Sequence, residues 1–421
     1  MTPSRHSPTA AAARWFFTPT GLIVCAFVIR VAFILQMGNR FYFADTAEYE
    51  AAAMDLLHGH LPSGTSPRAP LFPALMAFGF LLGGLKNYTA CRLLQLILAM
   101  GLVVTTGRIA RRLGGPGAEL LALFGAAFAP TLVFTTGMLY PTTLYASLLT
   151  GITALALLLV DEPTTARAIT LGLLVPLGWV TDQVIIAPLT VVALWLFAQR
   201  SKAGAGFGRA MGITAVVVVI LVGSWIGVQR EAYGHNAVFM QKAQFVLHWS
   251  RSDRMMEADR HVHLSPDSVW TPLPTKAFLA QEWHLLSTQP ADYVHDVMWE
   301  FLHFFKPMPD RVQTKNQYSE SPILLIGAIY FLPVLLFSIV GFLAGSGRWR
   351  ERILLALIVL ATAGFYSLFF TQTRYRIPIE PLMIVLAAVG LQRLFPRLSA
   401  ILGGVPLQSG ESAGGSGGAG R

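Results

Sequence analysis

The chain has 421 residues, of which 54% are hydrophobic and only 13% charged, with a mean hydropathy of +0.56 and a formal net charge of +9. A soluble domain carries about 25% charged residues, so the composition excludes a soluble globular protein and points to an all-α polytopic membrane protein. The positive balance does not require nucleic acid, because basic residues that flank spans on the cytoplasmic side account for it.

A span needs about 20 apolar residues. The N-terminal stretch 1–19 carries Arg5 and Arg14, and the apolar run after it lacks a small-residue cleavage site, so it reads as a first anchor. Ten runs follow the apolar pattern: Thr20–Met37, Thr89–Ala110, Gly117–Leu139, Thr142–Val160, Ile169–Val180, Val184–Phe197, Ala210–Val228, Ile323–Ala344, Ile353–Phe370 and Ile377–Leu394. Two of them, Ile169–Val180 and Val184–Phe197, are short for a crossing. An eleventh run, Pro70–Leu85, is ambiguous. If it does not cross, Arg108, Arg111, Arg112, Arg167, Arg200, Lys202, Arg209, Arg348, Arg350, Arg352, Arg393 and Arg397 all fall on the cytoplasmic side. Pro70–Leu85 is therefore expected to be a surface or re-entrant helix, which makes about ten transmembrane helices with both termini inside. The transmembrane unit spans 20–398, with outer loops at 38–88 and 230–322. The Gly/Ser-rich stretch 399–421 reads as a flexible cytoplasmic tail. Within the large loop, Met255–Arg260, Ala277–Leu286 and Asp292–Phe305 have helical character.

Asp45 opens the first outer loop's amphipathic segment. Asp45-x-x-Glu48 fits a capping box, and Tyr49, Ala52, Ala53, Leu56 and Leu57 form one apolar stripe that Gly59 ends. The carboxylate is either a plain helix cap or a group held for chemistry beside the membrane. Arg374-Tyr375-Arg376 is the basic cluster on the outer side. Its forks suit phosphate oxygens, although arginines there also snorkel to ordinary headgroups. Asp182, between the two short spans, is either a second carboxylate of a site or a wet turn residue. Arg68 meets either a charged substrate or a headgroup. His248, His261, His263, His284, His295 and His303 are scattered through the large loop, and His261-x-His263 alone falls short of the ligand number that a closed metal site needs. Cys25 and Cys91 lie inside apolar segments and build no disulfide framework. No Gly-rich phosphate loop and no Ser/His/Asp arrangement appears.

Four stretches in order resemble the GT-C class of integral membrane glycosyltransferases, in the branch of the protein O-mannosyltransferases and the lipid A aminoarabinose transferase. They are Asp45, Tyr49, Gly59 and Arg68-Ala-Pro-Leu-Phe-Pro73; Trp225 through Arg230; Pro290-Ala-Asp-Tyr293 through Pro307; and Arg374-Tyr-Arg-Ile-Pro-Ile-Glu-Pro381. The chain departs from the family in three places. Thr46 follows Asp45 where the mannosyltransferases have Asp-Glu, Thr181-Asp182-Gln183 stands where Arg-Pro is common, and an acidic residue near Tyr140–Leu144 is missing.

The resemblance implies a polyprenyl-phosphate-linked sugar donor and a lipid, glycan or protein acceptor. It implies a multi-pass protein of the inner membrane with its site facing the periplasm. On that basis Asp45 is the expected catalytic base, and Arg374 and Arg376, with Tyr375, are expected to bind the donor phosphate. Glu48, Tyr49, Arg68, Asp182 and Arg230 are expected substrate contacts. The resemblance fixes no cofactor, and a divalent metal is compatible with it. The competing classes are a transporter or flippase, which would favour repeated halves and mid-membrane charges, and an outer-face polysaccharide polymerase or ligase.

Overall fold

The computed structural model describes residues 15–40, 42, 45–62, 68–201, 204, 206–233, 274–307, 322–344, 347–369 and 371–396. Arg5, Arg14, the Met255–Arg260 helix, His248, His261, His263, Arg397 and the 399–421 tail lie outside the described residues. Within them the chain is helical, with no strand.

The helices run α1 (Pro19–Met37), α2 (Asp45–Leu57), α3 (Leu71–Gly83), α4 (Tyr88–Gly114), α5 (Pro116–Phe128), α6 (Pro130–Gly137), α7 (Thr142–Asp161), α8 (Thr165–Trp179), α9 (Ile186–Gln199), α10 (Phe207–Tyr233), α11 (Thr275–Thr288), α12 (Pro290–Phe304), α13 (Pro322–Ala344), α14 (Trp349–Ser367) and α15 (Glu380–Leu394). Tight 3₁₀ turns at Gln183–Ile185 and Thr373–Ile379 lead into α9 and α15. Local chemistry sets the ends. Thr18 caps α1 by accepting the Gly21 N–H at 3.0 Å, with Pro19 at the first helical position. Asn87 caps α4 by accepting the Ala90 N–H at 3.0 Å. Gly38 ends α1 at φ +60, a region that glycine enters without a Cβ penalty.

Among the described residues six helices are long and apolar enough to cross a membrane: Pro19–Met37, Tyr88–Gly114, Thr142–Asp161, Phe207–Ala232, Leu325–Ala344 and Thr373–Leu394. The bent pair α5–α6 makes a seventh if it counts as one span. The expected ten is therefore not reached on length and composition, and the reasons are local. The Gly117–Leu139 run breaks by 49° where Pro130 interrupts the helix. The two short runs stay short, at Thr165–Trp179 and Gln183–Gln199, divided at Thr181-Asp182. The Ile353 run, as α14, opens on Arg350, Glu351 and Arg352. The ambiguous Pro70 run forms α3, whose 13 residues reach about 20 Å at about 1.5 Å per residue. It packs on α2 and α4.

The break at Pro130 leaves carbonyls of α5 without helical partners, and Arg30 of α1 takes them. Its Nη2 donates to Ala126 O at 2.9 Å and its Nη1 to Ala127 O at 3.1 Å, with the residue only 1% exposed. The main core gathers α4, α5, α7, α14 and α15. In α15 every residue from Glu380 to Gly390 is buried. Gly390 and Gly341 let α15 and α13 meet backbone to backbone, since a Cβ on either would strike a carbonyl of the other helix. A second, smaller cluster joins Tyr49, Phe72, Phe80, Tyr88, Leu139 and Leu144 under α2 and α3.

Candidate functional site

Three segments far apart in sequence meet at one end of the bundle. Asp45 stands in the first turn of α2, where a carboxylate suits the positive end of the helix dipole. Its Oδ2 is turned away from the helix to two partners. The Tyr140 hydroxyl, from the junction of α6 and α7, donates to it at 2.5 Å. Arg374 Nη1, from the 3₁₀ turn before α15, lies 3.5 Å from the same oxygen. Among the described residues nothing engages Oδ1. The Tyr140 ring is held edge-on by Tyr49, with centroids 5.3 Å apart, and the Arg374 guanidinium sits 5.2 Å from the Tyr140 centroid. The Thr46 hydroxyl donates to Leu139 O at 3.4 Å, a second link between α2 and this junction.

Burial, above all, holds the Tyr140 phenol well above its ordinary range, with the nearby Tyr49 and Asp45 adding to it against the opposing pull of Arg374. The hydroxyl therefore stays protonated and donates. Sequence reading missed Tyr140. Its one signal was negative: the family's acidic residue is absent near this position, and a tyrosine stands there.

The other predicted residues divide. Glu48 and Arg68 pair on the surface beside Asp45, with Nε and Nη2 at 2.7 and 2.5 Å from Glu48 Oε2. The Arg68 guanidinium lies 5.1 Å over Tyr49, whose ring also packs edge-on against Phe72 at 5.2 Å. Asp182 joins the group from the turn between α8 and α9, where its Oδ1 accepts the Val184 N–H at 3.2 Å. With Tyr140, Tyr145, Tyr366, Arg374 and Tyr375 it lines a cavity of about 30 Å³, which holds about two waters.

Arg376 turns the other way. Successive side chains of a 3₁₀ turn are about 120° apart, so residues 374 and 376 cannot share a face. Arg376 is 3% exposed, its Nε lies 3.2 Å from Glu380 Oε1, it donates to Lys306 O, and its guanidinium is 3.4 Å over the Phe331 ring. Tyr375 stacks on Tyr366 at 4.6 Å with planes 7° apart, and Tyr366 on Phe304 of α12 at 6.0 Å. Glu300 of α12 accepts the Thr371 N–H at 2.9 Å. The return helix of the large loop is thus fastened to the Arg374–Arg376 turn. Arg230 is exposed in the last turn of α10, a helix packed on α8 and α7, and makes none of the contacts that join the others. Among the described residues no three His, Cys, Asp or Glu side chains gather as a metal-binding group.

No family model matches the sequence, and no curated protein matches it. Solved structures do match. ArnT from Cupriavidus metallidurans in the apo state aligns with a TM-score of 0.56 at 16% identity, over 93% of this chain and 62% of that one. The same protein bound to undecaprenyl phosphate aligns with 0.54 at 17% identity, over 90% and 61%. The archaeal oligosaccharyltransferase AglB from Archaeoglobus fulgidus, in complex with an inhibitory peptide and a dolichol-phosphate, aligns with 0.56 at 13% identity, over 94% and 52%. The chain thus spans about three fifths of the length of ArnT and half that of AglB. These likenesses, between helical membrane chains that agree over nearly all of this sequence, give the protein the fold of the GT-C membrane glycosyltransferases.

Proposed function

We propose that the protein is a glycosyltransferase that moves a sugar from a polyprenyl-phosphate donor to an acceptor hydroxyl, by inverting displacement. The observation that carries this reading is the convergence of Asp45, Tyr140 and Arg374, from three distant segments, beside one cavity. The fold adds support, since neighbours of this fold were solved with undecaprenyl phosphate and with a dolichol-phosphate.

The acceptor oxygen attacks the anomeric carbon as the bond from that carbon to the phosphate oxygen breaks, and the electron pair leaves with the polyprenyl phosphate. The acceptor's proton passes to Asp45. With Oδ2 held by Tyr140 and Arg374, Oδ1 is the oxygen that takes it. The leaving phosphate needs charge stabilisation and no proton. Arg374 supplies it, with Arg68 the second cation at the rim. Arg376 is committed to Glu380 and Lys306, so its part is to hold the turn. Arg111, Arg112, Arg167 and Arg348 lie at the opposite end of the bundle, which favours a site on the outer face. A flippase reading gains less support, because the carboxylates and arginines of the cluster sit at helix ends rather than along a central path.

The test is to incubate the purified protein with a panel of radiolabelled polyprenyl-phosphate sugars and membrane acceptors, with Asp45→Asn as the blank. Label transferred by the wild type and not by the variant is the expected result. Release of no sugar from any donor in the panel would remove the reading.

A further inference from the structure

Beneath the cluster lies a buried arginine that neither the motifs nor the proposed chemistry uses. Arg92, in the second turn of α4, is 1% exposed. All three of its nitrogens donate to backbone carbonyls. Nη1 reaches Gly38 O at 2.5 Å and Nη2 reaches Arg40 O, both in the chain leaving α1. Nε reaches Gly137 O at 2.6 Å, in the last residue of α6. One turn on, Gln95 Nε2 donates to Met138 O at 2.7 Å.

These carbonyls sit at or just past helix C-termini, which carry partial negative charge and favour a cation. That explains how a guanidinium is buried with no carboxylate on any of its nitrogens. The gripped segments are the two that deliver the site: residue 40 is five positions before Asp45, and Gly137 is three before Tyr140. They also touch directly at this level. A Cβ on Gly137 would fall 2.5 Å from Phe33 and 2.6 Å from the Met37 sulfur, so α1 and α6 meet with no slack. Arg92 is the rigid fork between them.

We infer that Arg92, backed by Gln95, is a positioning residue that sets the distance between Asp45 and Tyr140. This rests on the proposed transferase reading for its catalytic consequence, though not for its structural one. A guanidinium bridges carbonyls of two chains in a fixed plane, whereas an ammonium can satisfy them only as a flexible point donor. Arg92→Lys therefore keeps the charge and loses the geometry. Arg30 is the matched control. It is a second buried arginine that donates to helix-end carbonyls, those of Ala126 and Ala127, and it touches no member of the cluster.

The experiment compares Arg92→Lys with Arg30→Lys by two readouts. The first is backbone hydrogen exchange, which needs no substrate. Arg92→Lys should raise exchange at 38–40 and 137–140, while Arg30→Lys should not. The second is transfer with whichever donor the wild type accepts. Arg92→Lys should lower kcat about tenfold or more relative to Arg30→Lys, with donor KM held, because loss of alignment acts on the chemical step. If the wild type proves inactive with every donor, the transferase reading fails and the exchange arm still decides the fork. Equal exchange in the two variants overturns the inference, as does a kcat loss in Arg92→Lys that Arg30→Lys matches or that tracks its fall in melting temperature. Gln95→Ala, which leaves Arg92 in place, should raise exchange at 138 alone.

Discussion

The two ends of the bundle are built from the same ingredients, arginine and carboxylate, and use them differently. At one end Arg112 of α4 is saturated. Its Nη1 and Nη2 meet Asp161 of α7, the latter at 2.9 Å, and its Nε and Nη2 each meet Glu351 of α14 at 3.0 Å. Glu351 also takes Arg348 at 2.9 Å, and Arg111 takes Glu119 at 3.0 Å. Each of these charges has a fitted partner, and Arg112 ties three helices together. At the other end Arg374 stands 3.5 Å from one oxygen of Asp45, flanked by the rings of Tyr140 and Tyr375 at 5.2 and 5.5 Å. Its Nε is buried with no hydrogen-bond partner among the described residues. An arginine whose forks are filled is a fastener. One held loosely among aromatic rings beside a cavity keeps capacity for another anion, at the cost of leaving polar atoms under-satisfied.

The deepest cut into that contrast is at Asp45. Asp45→Asn keeps the side chain's shape and removes the proton acceptor, so kcat should fall about 10²- to 10⁴-fold with no comparable loss of melting temperature. Near wild-type turnover in a folded variant would end the base assignment. Next come the two arginines of the tight turn, which the structure faces in opposite directions. Arg374→Ala should cost about 10²-fold in kcat by removing charge stabilisation of the leaving phosphate. Arg376→Ala should instead lower the melting temperature, because it leaves the buried Glu380 without its cation. Interchanged outcomes would show that the turn faces the other way in the working protein.

Tyr140→Phe is a gentler probe. It removes one hydrogen bond to a carboxylate and keeps the ring that Tyr49 and Arg374 contact. A bond to a charged group is worth about 1.5–3 kcal/mol, so kcat should drop about ten- to a hundredfold with donor KM unchanged. A rise in KM alone would make Tyr140 a substrate contact and would leave Asp45 oriented by something else.

Much of the scaffold was legible in the sequence because apolar length and helix-end signals are local. Asp45-x-x-Glu48 and Gly59 bracket α2 without reference to anything distant, whereas the caps at Thr18 and Asn87 and the break at Pro130 went unread behind the apolar runs. Asp45 and Arg374 were legible as exceptions, charges where a membrane protein has few. Tyr140 was not, because a tyrosine between two apolar runs is ordinary until the fold sets it 2.5 Å from a carboxylate. Arg92 was hidden for a related reason. Inside an apolar run it looks like a cost, and only the carbonyls of residues 38, 40 and 137, brought in from two other segments, show what offsets it. The opposite facing of Arg374 and Arg376 follows from a 3₁₀ turn that the motif's spelling does not reveal.

The smallest expected effect on catalysis belongs to the saturated end, and it completes the comparison. Arg112→Gln leaves Asp161 and Glu351 without their shared cation. Arg112 and Glu351 are each 13% exposed while Asp161 is 47% exposed, so one pair is well shielded and the other largely solvated. The loss should fall between the small value of a surface ion pair and the several kcal/mol of a fully buried one, at about 2 kcal/mol. It should appear as a fall of a few degrees in melting temperature, partly recovered in Arg112→Lys, and turnover of the folded fraction should stay within about twofold of wild type. A kcat loss comparable to that of Tyr140→Phe would mean that the two ends are coupled through α4, α7 and α14. The loose arginine and the saturated one would then be parts of a single device rather than two uses of the same chemistry.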